Sequence, residues 1–303
     1  MGQIAFVFSG QGAQYSGMGQ SLCQASGAAR AVFAAVDAIR PGTSEQCFTG
    51  SKEELSITSN TQPCMFAVEL AAARALEEAG IRPSRVAGFS LGEIAALTYA
   101  GAVSLEDGFQ LVCRRGALMQ QAAEAADTGM LAVLKLDNET VEALCSQQPE
   151  VYPVNYNCPG QVTVAGLKTS LAALKDAVKA AGGRAVPLAV SGGFHSPFMA
   201  PAAQQLEQVL SQMQISAPQI PLYSNYTAQL YEGDYRMLLR QQVCNPVRWQ
   251  DIVEDMVRQG VDTFIEVGPG KTLCGLIAKT APTARTWNVE SAETLQAVIN
   301  EVN

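Results

Sequence analysis

The chain has 303 residues, 48% of them hydrophobic, enough for a large core in one α/β domain or in two domains. A net charge of −8 argues against non-specific binding to nucleic acid or to an anionic membrane, since both need a basic surface. Eight cysteines without a CxxC pair, and a single histidine, argue against a zinc site and against a disulfide scaffold, so reduced thiols in a cytoplasm are expected.

The start, "MGQIAFVFSGQG", has no cationic leader and only a short apolar run, and no stretch of ~18 apolar residues follows. Neither a signal peptide nor a membrane span is expected. "IAFVFSGQG" (4–12) predicts a buried strand entering a Gly-rich loop. "QPCMFAVELAAARALEEAG" (62–80) predicts a helix ended by Gly80. "RVAGFSLGEIAALTYAG" (85–101) reads as strand, sharp turn and helix, and 105–126 as another helix. This alternation points to a parallel sheet covered by helices.

The rhythm then changes. Strands are expected at 130–136, 151–157, 162–166 and 184–190, with helices at 138–148 and 169–183. That order, β-α-β-β-α-β, is the ferredoxin-like pattern. It predicts a small insert, residues 128–191, within a larger α/β domain made of 1–127 and 192–303. Helices are expected again at 200–213 and 251–260, and "VDTFIEVGPG" (261–270) reads as strand into Gly-rich loop.

"GFSLG" (88–92) fits G-x-S-x-G, in which a strained strand-to-helix turn lifts a serine hydroxyl out of the sheet. Only small residues two before and two after the serine avoid a clash. The following helix directs its N-terminal dipole at Ser90, and the Leu91 N–H becomes an oxyanion donor. A free hydroxyl is a poor nucleophile and needs a base. His195, in "GGFHSPFM" (192–199), is the only histidine and follows the insert's last strand, where a cleft between domains would form. For a third partner, Asp107, Glu124, Asp127, Asp137 and Asp176 lie between Ser90 and His195 in the chain. A Ser-His dyad oriented by a carbonyl is equally consistent with the sequence.

Together with "FVFSGQGAQYSGMG" (6–19), "RRGALMQ" (114–120), "VNYNCPGQ" (154–161), "NPVRW" (245–249) and "EVGPGKTL" (266–273), these motifs resemble, in order and over nearly the whole chain, the acyl-CoA:acyl-carrier-protein acyltransferases. The likeness is strongest to the bacterial malonyl-transferring branch. The resemblance implies an α/β-hydrolase-like parallel-sheet domain with an inserted ferredoxin-like domain. It implies that a malonyl group passes from coenzyme A to the phosphopantetheine thiol of acyl carrier protein, for fatty acid or polyketide synthesis, without metal or bound cofactor.

By the same resemblance Ser90 carries the acyl group and His195 is the base. Gln11 and Leu91 supply oxyanion N–H groups, and the Gln242 carbonyl holds the histidine, so no acidic third member is required. Arg115 binds the malonyl carboxylate, which suits a guanidinium able to give two parallel N–H bonds. Gln62 and Asn157 match positions near the cleft, and Phe194 matches the malonyl-type pattern. One departure is Phe89, where the family usually has histidine, which bears on the shape of the acyl pocket. For the acidic carrier protein, Lys168, Lys175 and Lys179 form one helical stripe, extended by Arg184, that is a candidate docking surface.

Overall fold

The structure, a computed structural model, describes residues 2–302. It opens with β1 (Gln3–Phe8), followed by five helices: α1 (Gln20–Ala25), α2 (Gly27–Ile39), α3 (Thr43–Thr49), α4 (Lys52–Leu55) and the long α5 (Thr58–Glu78). Next come β2 (Arg85–Gly88), α6 (Gly92–Tyr99) and α7 (Leu105–Glu124). The middle of the chain holds β3 (Thr128–Leu134), α8 (Asn138–Ser146), β4 (Val151–Cys158), β5 (Gln161–Leu167), α9 (Lys168–Ala180) and β6 (Arg184–Pro187). It closes with α10 (Ala200–Ser211), α11 (Tyr235–Cys244), α12 (Trp249–Arg258), β7 (Val261–Val267), α13 (Thr272–Thr280), β8 (Arg285–Val289) and α14 (Ala292–Val302).

Two separate sheets result. One has the order β2-β1-β7-β8 with every neighbour parallel. The other has the order β4-β5-β3-β6 and is antiparallel, the strand order of a ferredoxin-like unit. The fold is therefore α/β, with a parallel sheet and a separate ferredoxin-like sheet.

β1 explains why the first sheet is buried on both faces. Ala5, Phe6, Val7 and Phe8 are all fully buried, and they alternate. Phe6 and Phe8 join the larger core with α5, α6 and α7, whereas Ala5 and Val7 meet Trp249, Ile252, Val253 and Phe264 on the other side. A continuous apolar run is what a central parallel strand needs. Truncating Phe6 or Phe8 to Ala in such a site costs ~3–5 kcal/mol.

The antiparallel sheet is two-sided in a different sense. Leu131, Val133, Val162 and Val164 pack under Leu171, Leu174 and Val178 of α9. The alternate residues Met130 and Thr163 face the cavity beside Ser90. The lysine stripe on α9 thus lies across the sheet from that cavity, and Lys168 is ion-paired with Asp127 at 2.5 Å. Lys175, Lys179 and Arg184 are exposed.

Several expected boundaries shift. The strand expected over 184–190 pairs only through Pro187, and Leu188 and Val190 beyond it line the cavity. The helix expected from 62 starts at Thr58, so Pro63 lies inside it. Helices α1–α4, α11, α13 and α14, and strand β8, were not anticipated.

Candidate active site

Ser90 occupies a left-handed backbone conformation, φ 56°, between β2 and α6. For a non-glycine residue this costs of order 1–3 kcal/mol and persists only when braced. The glycines permit the turn. A Cβ on Gly88 would fall 1.9 Å from the Gly92 carbonyl carbon, and one on Gly92 would fall 2.4 Å from Phe8 O. The braces are polar. The Ser90 N–H donates to Asn225 Oδ1 (2.7 Å), Asn225 Nδ2 donates to Gly88 O (2.6 Å), and Gln242 Nε2 donates to Ser90 O (2.7 Å).

His195 is held as firmly, also at positive φ (59°). Its loop is pinned by the Gly193 N–H on Thr128 Oγ1 (2.9 Å) and by Ser196 Oγ donating to Gly193 O (2.5 Å). The imidazole Nδ1 lies 2.8 Å from Gln242 O, and Nε2 lies 2.7 Å from Ser90 Oγ. A carbonyl only accepts, so Nδ1 carries the hydrogen and the Nε2 lone pair faces the serine hydroxyl. None of the five acidic residues between Ser90 and His195 fills this place. Asp107 accepts from Ser104, the N-cap of α7, Asp137 caps α8, Asp127 pairs with Lys168, Glu124 accepts from Gln120, and Asp176 is exposed.

Arg115, on the inner face of α7, is buried. Nη1 donates to Gln62 Oε1 (2.9 Å), while Nη2 donates to Ser90 Oγ (3.1 Å) and to Gln242 Oε1 (2.8 Å). Its Nε has no partner among the described residues. Burial lowers the Arg115 pKa to about 10, partly offset by Glu93 and Tyr231, which leaves it charged at neutral pH. Burial, reinforced by the Arg115 charge, pushes His195 down to about 4. The imidazole is therefore neutral and able to accept a proton throughout the neutral range.

A cavity of about 150 Å³ opens on Ser90 and His195, lined among others by Gln11, Gln62, Met130, Asn157 and Phe194. Asn157 Nδ2 donates to Thr163 Oγ1 (3.0 Å) in its wall. The backbone N–H groups of Gln11 and Leu91 have no protein acceptor among the described residues. Phe89 borders both this space and a second cavity of about 240 Å³ that is also lined by Gly10, Gly12 and Leu273. Its ring packs 5.6 Å from that of Trp249. All the expected site residues except the lysine stripe and Arg184 thus gather around Ser90. Three were missed: Asn225, Tyr231 and the buried Glu93. Glu93 directly follows "GFSLG" within 85–101, where a carboxylate immediately behind an apolar elbow was the available signal.

A serine on a strained elbow, a neutral imidazole against its hydroxyl and a buried guanidinium beside both define a serine-dependent acyl-transfer enzyme on an α/β scaffold. The chain belongs to the acyl transferase domain family, which matches residues 5–301. It is 37% identical over 307 residues to the malonyl CoA-acyl carrier protein transacylase of Bacillus subtilis, covering 99% of this chain and 97% of that protein. It superposes with TM-score 0.96 and 35% identity on the malonyl CoA-acyl carrier protein transacylase of Clostridium perfringens, covering 99% of this chain and 97% of that one. A malonyl-transacylase solved in complex with its type II PKS acyl-carrier protein matches at TM-score 0.94 and 37% identity, covering 99% of this chain and 100% of that one.

Among the described residues no helix is long and apolar enough to cross a membrane, and no group of three or more His, Cys, Asp or Glu side chains could hold a metal ion.

Proposed function

We propose that this enzyme moves a malonyl group from coenzyme A to the phosphopantetheine thiol of an acyl carrier protein, through an ester on Ser90. Ser90 Oγ attacks the thioester carbonyl while His195 Nε2 takes its proton. The imidazolium returns that proton to the departing coenzyme A thiolate. The carrier thiol then gives its proton to His195, attacks the ester, and leaves Ser90 reprotonated by the same nitrogen. The proton count closes with these two side chains and the thioester's own activation, so the scheme calls on no metal or bound cofactor.

The observation that carries the reading is Arg115, a buried cation 3.1 Å from Ser90 Oγ. Its direct acceptors are all neutral, so a carboxylate on the acyl group meets a guanidinium with no carboxylate in contact, whereas a neutral acyl chain leaves it without an ionic partner. Gln62 holds the Arg115 side chain, and Gln11 and Leu91 offer their free N–H groups to the oxyanion. Asn157, Phe194, Met130 and Leu188 shape the wall against the acyl chain.

The proposal extends to organisation. Residues 1–127 and 192–303 form the unit that bears the nucleophile, and 128–191 form the insert that roofs the cleft. Eight free thiols suit work in the cytoplasm. Mass spectrometry of the intact protein mixed with a panel of acyl-coenzyme A thioesters tests the reading. A malonyl adduct in large excess over acetyl is expected, and equal labelling by both would overturn the role given to Arg115.

A further inference from the structure

A buried guanidinium needs a counter-charge, and Arg115 has none in direct contact. No carboxylate among the described residues lies within ion-pairing distance of it. The charge that faces it stands one amide away. Gln242 accepts from Arg115 on Oε1 (2.8 Å) and donates from Nε2 to Glu93 Oε2 (2.9 Å). Glu93 is fully buried at the start of α6, three residues after the nucleophile. Its Oε2 also accepts from the Asn225 N–H (3.0 Å), and its Oε1 accepts from the Tyr231 hydroxyl.

We propose that Glu93 is the remote counter-charge of Arg115 in the free enzyme and takes up a proton from solvent when the malonyl carboxylate pairs with Arg115. This rests on the malonyl reading above. Before loading, the buried site holds one cation and one anion. A malonyl group on Ser90 adds a second anion, and two carboxylates around one guanidinium leave a net negative charge in a medium that solvates it poorly. Protonating Glu93 restores neutrality.

The surroundings allow that step. Oε2 keeps both of its N–H donors, and Oε1 gains an O–H bond and donates to Tyr231, whose hydroxyl serves equally as acceptor. The charged and titratable groups around Glu93 are few: Tyr231 from the chain before α11, Arg115 from α7 and, beyond Gln242, His195. Burial already raises the Glu93 pKa to about 7, against the pull of its hydrogen-bond donors and Arg115, so a further anion acts on a group poised to titrate. Glu93 touches no substrate. It is a positioning and charge-balancing residue, acting through Gln242 on Arg115 and through Asn225 on the elbow.

The test is the fraction of Ser90 malonylated at a fixed malonyl-coenzyme A to coenzyme A ratio, read by intact-protein mass spectrometry between pH 6 and 8. For the wild type the loaded-to-free ratio is expected to fall toward tenfold per pH unit above pH 7, because loading then consumes a proton. Glu93→Gln, neutral at every pH and similar in shape, is expected to give a flat profile. A purely structural brace predicts the same profile for both proteins, which would overturn the inference. A second measurement needs no variant. Wild-type enzyme mixed with malonyl-coenzyme A in weak buffer at pH 8 should take up close to one proton per adduct, and no uptake would overturn it. A wild type that forms no malonyl adduct at any pH would overturn the malonyl reading as well, whereas an adduct with a flat profile removes only the role of Glu93.

Discussion

Around Ser90 the two sheets contribute in different currencies. The parallel-sheet part supplies the serine, the histidine and Arg115, and also nearly all the polar groups that hold them: Gln62 on α5, Gln242 on α11 and Asn225 in the chain between α10 and α11. The antiparallel sheet supplies Met130, Asn155, Asn157 and Thr163 to the cavity wall, and none of these bonds to Ser90, His195 or Arg115. Among the described residues, its one hydrogen bond to the loops around Ser90 and His195 comes from Thr128, whose hydroxyl accepts from the Gly193 N–H in the His195 loop. On the proposed reading, chemistry depends on a hydrogen-bonded cluster, and acyl fit depends on a wall of side chains from a separate sheet. Changes in the first region should lower kcat, and changes in the second should move KM and acyl preference.

The largest effects are expected in the first region. Ser90→Ala should remove the acyl adduct altogether, as seen by intact mass. His195→Ala should slow acylation by ~10²–10⁴-fold, the range for a positioned base. In the wild type the acid limb of kcat/KM should fall near pH 4 and not near the ordinary histidine value of ~6.5. The sign follows from the neutral form being the active one, and from burial and Arg115 both opposing protonation. The pH–rate profile checks it, and a limb at 6.5 would mean that His195 is more solvated than its surroundings imply.

Arg115→Ala comes next. It should cost malonyl transfer ~2–5 kcal/mol, the penalty for leaving a buried carboxylate unpaired, while acetyl transfer is spared by comparison. The ratio of the two kcat/KM values measures it, and an equal loss in both would assign Arg115 to structure.

Changes in the second region should be milder. Asn157→Ala or Met130→Ala should shift the malonyl-coenzyme A KM by less than ~10-fold with kcat nearly kept, since each removes packing or one neutral hydrogen bond worth ~1 kcal/mol. A collapse of kcat in either variant would erase the distinction between cluster and wall. Smallest of all is the charge of α9. Changing Lys168, Lys175 and Lys179 to Glu should raise the carrier KM only a few-fold, and less in added salt, because the stripe stands across the sheet from the cavity and acts through a screened field.

How much of this was legible follows the same division. The elbow announced itself because a strand, G-x-S-x-G and a helix must occur together, and the ferredoxin-like order showed in the spacing of short apolar strands. What held the site was harder to see. Asn225 and Tyr231 lie in an irregular stretch between α10 and α11, where no periodicity marks a buried polar side chain. Gln242 was reachable only by resemblance, since a glutamine on the buried face of α11 beside Leu238, Leu239 and Val243 leaves no pattern of its own. The lysine stripe shows the converse limit. Its spacing on α9 was right, but a helical wheel does not tell which side of the sheet the helix covers.

The central claim is that malonyl resides on Ser90 and leaves to a thiol, and a pulse-chase experiment tests it most directly. Enzyme loaded with labelled malonyl-coenzyme A is freed of excess thioester, mapped by peptide mass spectrometry, and then mixed with carrier protein bearing its phosphopantetheine arm. The label should sit on the peptide containing Ser90 and pass to the carrier thiol faster than to water. Label on a cysteine, or release mainly as free malonate in the presence of the carrier, would contradict the account.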